Sequence, residues 1–115
     1  MYFKVQYTTG GTDILNLRDD TQVGKTYKMY NGQVFKVLGK KTFKYTMDDL
    51  DNLRVILEGY DEGEYYDIYK RVMKALDKGV PSIRFSSYEK ELLGMQLEHE
   101  DLPYLRQTLI KVIGE

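Results

Sequence analysis

At Thr46 the apolar residues of this chain change their spacing, and that change limits the fold more than any other feature of the sequence. Before it they recur at every second position, as Phe3, Val5 and Tyr7 do, which is the period of a strand. After it they recur at three and four, first in Leu50, Leu53 and Leu57, then in Tyr65, Ile68, Tyr69, Val72, Met73 and Leu76. That is the period of a helix with one apolar face. A run of strands followed by a run of helices predicts an α+β protein. At 115 residues the chain has the size of a single domain spanning 1–115.

In the strand-forming part, Gly10-Gly11 ends the first strand and a short second strand covers 14–17. The strongest local signal is Asn31-Gly32, a pair suited to the positive backbone angles of a two-residue type I′ turn, which would join strands over 26–30 and 33–38. A turn near 39–41 then leads into a strand over 42–45, completing a meander.

Helix signals follow. Thr46 with Asp49 three residues on reads as an N-cap, with Tyr45 and Leu50 as a hydrophobic staple, so a helix should run to about Glu58 before Gly59. Asp61 with Glu64 repeats the device, with Tyr60 and Tyr65 as staple, and starts a helix over about 62–78 that Gly79 and Pro81 close. Two readings compete for the next segment. Alternation of Ile83 and Phe85, then of Leu93, Met95 and Leu97, suggests a hairpin, whereas Ser86 with Glu89 is a capping box that would start a helix. The hairpin is the reading adopted. A last helix covers about 101–113. The whole is then an antiparallel sheet, an N-terminal meander plus a C-terminal hairpin, packed against about three helices in the order βββββααββα.

The motif Asp-Leu-x-x-Leu-Arg-x-x-Leu occurs twice, from Asp49 to Leu57 and from Asp101 to Leu109. With Phe43-x-Tyr45 before one copy and Met95-x-Leu97 before the other, it suggests two similar strand-then-helix units. Capped amphipathic helices produce leucines at these spacings without duplication, and Pro103, tolerated only in a first helical turn, would start the second helix later than the first.

Charge is unevenly placed. From Lys25 to Tyr45 there are six lysines and no acid, threaded with Tyr27, Tyr30, Phe35, Phe43 and Tyr45. From Thr46 to Asp67, Asp48, Asp49, Asp51, Glu58, Asp61, Glu62, Glu64 and Asp67 face only Arg54. Lysines that neutralise phosphate beside aromatic rings that stack on bases are the composition of a nucleotide or single-stranded nucleic-acid binder. They equally suit a solvated sheet whose lysines keep its edges from pairing with other chains. The candidate binding residues are Tyr27, Lys28, Tyr30, Lys36 and Lys40.

Catalytic motifs are missing. Gly24-Lys25-Thr26 is no P-loop, because Asp19 stands where the first glycine belongs and a strand follows. The lone histidine, His99, lies among Glu98, Glu100 and Asp101, the one place for a small enzyme's general base, yet these acids suit a helix start better. Without cysteine there is no disulfide, thiolate metal site or thiol nucleophile, which suits the cytoplasm. No metal site, no cofactor and no membrane span is expected. The eleven tyrosines provide rings with polar ends suited to contact surfaces. In make-up the chain resembles small accessory proteins of bacteriophages and mobile elements, which act by binding and blocking a host component. The resemblance implies a non-catalytic protein that inhibits or regulates a macromolecular partner, most simply another protein. A homodimer is compatible with the sequence.

Overall fold

The computed structural model describes residues 1–114. It is α+β, with four antiparallel strands in one sheet and four helices, and the chain divides into two compact units, 1–44 and 45–114 of the described residues.

The N-terminal unit is the sheet. Strands β1 (Tyr2–Tyr7), β2 (Thr12–Asn16), β3 (Thr26–Lys28) and β4 (Val34–Lys41) lie in the order β2-β1-β4-β3. Alternation works as the sequence requires: Phe3 and Val5 of β1 and Phe35 and Val37 of β4 are buried on one face, with Tyr7, Leu15, Leu17, Tyr27 and Met29 around them. Tyr27 stacks on Phe35 with ring centroids 6.0 Å apart, and Tyr7 meets the same ring edge-on at 6.5 Å. The register of β4 against β1 shifts between Lys4 and Val5, so that Val5 pairs with Val37 but Lys4 pairs with Gly39. Leu38 is therefore the extra residue of a β-bulge.

Two expectations for this unit are corrected. The Asn-Gly hairpin forms, but not through a type I′ turn: Asn31 keeps a negative φ, the Gly32 N–H donates to the Met29 carbonyl at 2.9 Å, and only Gly32 is left-handed, at φ 90°. This is a three-residue loop, with the Asn31 side chain accepting the Gln33 N–H at 3.0 Å. The expected strand over 42–45 does not form. The β4 ladder ends with Lys41 opposite Tyr2, the first residue of β1, and Phe43 packs edge-on against Tyr2 at 5.3 Å.

The second unit is helical: α1 (Met47–Leu57), α2 (Gly63–Lys78), α3 (Ser87–His99) and α4 (Pro103–Ile113). In it α1 packs on α2 and α4, and α3 packs on α4 and α2, around a core that includes Tyr45, Leu50, Leu53, Leu57, Ile68, Val72, Phe85, Leu93, Leu109 and Val112. The Thr46–Asp49 capping box is present in both directions, at 3.1 and 2.9 Å. Gly79 ends α2 at φ 76°, its N–H donating to the carbonyls of Ala75 and Leu76. The Asp61–Glu64 box does not form, because Gly63 is left-handed at φ 82° and cannot be the second residue of a helix begun at Asp61; Tyr60 and Tyr65 nevertheless stack at 4.7 Å.

The C-terminal hairpin is replaced by α3. Ser86 and Glu89 form the full capping box, and Glu89 also receives the Arg71 guanidinium, which fastens the start of α3 to α2. The alternation of Leu93, Met95 and Leu97 misled because a spacing of two, taken twice, is also the i,i+4 spacing of a helix. Leu93 is buried, Leu97 packs at the core's edge and Met95 is exposed. Likewise the two copies of the motif share a helix and its core leucines, Leu53 and Leu57 in α1 and Leu105 and Leu109 in α4, but not a strand-then-helix unit. Asp49 sits inside the first turn of α1, whereas Asp101 precedes α4, and helix α3 rather than a strand comes before the second copy. Arg54 pairs with Asp51, whereas Arg106 donates to the carbonyls of Leu97 and Glu100, both at 2.8 Å.

Candidate binding cleft on the N-terminal sheet

The two lysines expected to act together from β4, Lys36 and Lys40, are separated by the bulge. Four residues apart in an unbroken strand they would share a face; with Leu38 inserted, Lys36 pairs with Gln6 on the outer face and Lys40 pairs with Phe3 on the apolar one. Lys28, opposite Val34, has the register of the outer face but, on the edge strand, also borders the opposite side, while Tyr27, opposite Phe35, belongs to the apolar face. Tyr30 is the first residue of the three-residue loop and is fully exposed. The five candidate residues thus form no single cluster: the sheet sorts them.

On the outer face the register brings together Lys4, Lys28, Lys36 and Lys41 with Gln6, Thr12 and Thr26, and no acid stands among the positions paired there. On the other face lies a cleft of about 720 Å³. Its floor is Leu15, Leu17, Tyr27, Met29 and Phe35, drawn from β2 and β3, from the residue after each, and from β4. Its rim is Arg18, Asp20, Lys25, Lys28 and Tyr30. The loop over 18–25 is held down by the Tyr27 hydroxyl, which accepts the Gln22 N–H at 3.0 Å, and by the Gly24 N–H, which donates to the Val37 carbonyl at 2.8 Å. One ring thus serves as floor and, through its hydroxyl, fixes the loop that forms a wall. Arg18 and Asp20 pair at 3.4 Å, both largely exposed.

Of the residues that line the cleft, Tyr27, Lys28 and Tyr30 are among the candidates the sequence singles out. Leu15, Leu17 and Arg18 are not. The signal was there: Leu15 and Leu17 share the i,i+2 spacing of one strand face, and Leu15 lies opposite Phe3.

Elsewhere, a polar network joins α1 to α4. The Lys111 ammonium donates to Asp49 Oδ2 at 2.6 Å, and the Asn52 amide donates to the Thr108 hydroxyl at 3.0 Å. Burial pushes the Asp49 carboxyl up, but hydrogen bonds from Lys111 and from the Thr46 N–H, with the Lys111 charge, outweigh it and hold the group below its ordinary value. At Tyr7, burial and then the hydrogen bond to Asp13, at 3.1 Å, push the phenol up. His99 is exposed at the last residue of α3. Among the described residues no group of three or more His, Cys, Asp or Glu is placed to hold a metal ion, and no helix is long and apolar enough to cross a membrane. No protein-family model, no curated protein and no solved structure matches the chain.

Proposed function

We propose that this is a small non-catalytic binding protein that inhibits or regulates a protein partner, which it holds in the cleft on the apolar face of its N-terminal sheet. The observation that carries this reading is the cleft itself: about 720 Å³ of open space over Leu15, Leu17, Tyr27, Met29 and Phe35. Ligand sites are commonly concave, apolar-floored spaces of about 300–1,000 Å³ with a few polar groups at the rim. The fully exposed ring of Tyr30 beside it suits a contact anchor, since tyrosines are enriched among residues that dominate interface energies. In such a role the chain fits the accessory type carried by bacteriophages and mobile elements.

The test is affinity capture from extract of the source cell, with the full chain and its Leu17→Arg variant, after nuclease treatment. The expected result is a protein retained by the wild type and lost by the variant. Retention that nuclease abolishes, or that Leu17→Arg leaves intact, refutes the reading.

A second reading, binding of single-stranded nucleic acid or a nucleotide, draws on the outer lysines Lys4, Lys28, Lys36 and Lys41. It is weakened by the sheet's alternation: the unit's core rings, Tyr27 and Phe35, lie on the face opposite Lys36, so phosphate and base contacts would not coincide. Salt-dependent binding of oligonucleotide that falls on Lys36→Glu would favour it.

A further inference from the structure

A protein seated in the cleft must satisfy both its floor and its rim. The floor is apolar, so it favours a large hydrophobic side chain. The rim carries Arg18, Lys25 and Lys28 against one acid, Asp20, and that acid is already paired with Arg18. Lys25 and Lys28 enter no ion pair among the described residues. Two lysines without an ion pair on the border of an apolar cleft favour carboxylates over lysines or arginines in whatever enters. We infer that the cleft takes an acidic segment of the partner protein, one that sets a large apolar side chain on Tyr27, Leu15 and Leu17 and places its carboxylates against Lys25 and Lys28.

A nucleotide fits this cleft less well. The stack on Phe35 leaves the Tyr27 ring one face at most for a base, and its hydroxyl, which accepts the Gln22 N–H, is already used to hold the loop. This inference rests on the cleft being a protein-binding site, and the experiment separates the two. A random peptide library displayed on phage is selected on the full chain, and enriched peptides are assayed in solution against the wild type, Leu17→Arg and the Lys25→Glu/Lys28→Glu double variant, each checked for native circular dichroism. The expected peptides combine Asp or Glu with an aromatic or long aliphatic residue, lose binding to Leu17→Arg, and bind the charge-reversed variant about tenfold more weakly, with a loss that shrinks in high salt. The charge-reversed variant alters exposed residues only, so it serves if Leu17→Arg fails to fold. Neutral or basic peptides that depend on Leu17 but ignore the charge reversal overturn the inference and leave the cleft as a protein site. Peptides indifferent to Leu17→Arg overturn both. A selection that enriches no peptide overturns the inference.

Discussion

Replacing Asp49 with asparagine tests whether the α1–α4 network stabilises the helical unit through charge or through shape. Asparagine keeps an oxygen that can accept the Thr46 N–H but removes the negative charge from the Lys111 contact. A hydrogen bond to a charged group contributes about 1.5–3 kcal/mol when well shielded. Here Asp49 is 14% exposed but Lys111 is 37% exposed, so solvent screening reduces the gain and about 1–2 kcal/mol is the expected loss at neutral pH. For a unit of this size that is a fall in melting temperature of about 5–10 °C. The pH dependence follows from the direction of the shift. Because the folded state holds the Asp49 carboxyl below its ordinary value of 3.8, its stabilisation is complete above that pH and is lost as the pH falls through the lower, folded value. Chemical denaturation followed by helical circular dichroism should therefore find a penalty for Asp49→Asn near pH 7 that shrinks towards about pH 2.5. A double-mutant cycle with Lys111→Met should give a coupling of about 0.5–1 kcal/mol. A penalty of equal size at both pH values, together with zero coupling, would refute the electrostatic account.

Three further outcomes follow from single residues. Ser86→Ala should cost about 1 kcal/mol and raise amide exchange in the first turn of α3, since it removes the acceptor of the Glu89 N–H at 3.1 Å; exchange unchanged at Ser87–Lys90 would contradict the cap. Tyr27→Phe keeps the ring but loses the acceptor of the Gln22 N–H, so exchange should rise at 21–25 while the melting temperature barely moves; an unaltered loop would show that the hydroxyl does not hold it. His99→Gln, at an exposed helix end, should leave stability within about 0.5 kcal/mol and partner binding unaltered; lost function with intact fold would return His99 to a central role.

Local chemistry was readable from the sequence and pairing was not. Thr46 with Asp49 and Gly79 announce helix ends because each needs only its immediate neighbours, and both act as the sequence suggests. The strand over 42–45 failed because a strand exists only beside another, and no local property of Phe43 or Tyr45 reveals whether a neighbour is there. In 87–99 two local signals conflicted. The Ser86 cap, supported by Arg71 from α2, prevailed over an alternation that a helix accommodates equally well. At the candidate site the residue types were legible but their sides were not. A single inserted residue, Leu38, sends Lys36 and Lys40 to opposite faces, and a bulge depends on how β1 and β4 meet.

That sorting changes what the overall charge means. A net charge of -1 and a pI near 5.9 argue against attraction to anything anionic. Yet residues 1–44 carry eight basic and three acidic side chains, and residues 45–115 carry nine basic and fifteen acidic ones. At about 0.1 M salt the Debye length is about 10 Å, so a ligand at the sheet responds to the charges near it and little to the chain's total. An acidic segment approaching Lys25 and Lys28 is attracted there and repelled by the helical unit. The near-zero sum therefore does not rule out attraction of an acidic segment to the sheet, where the local excess is basic.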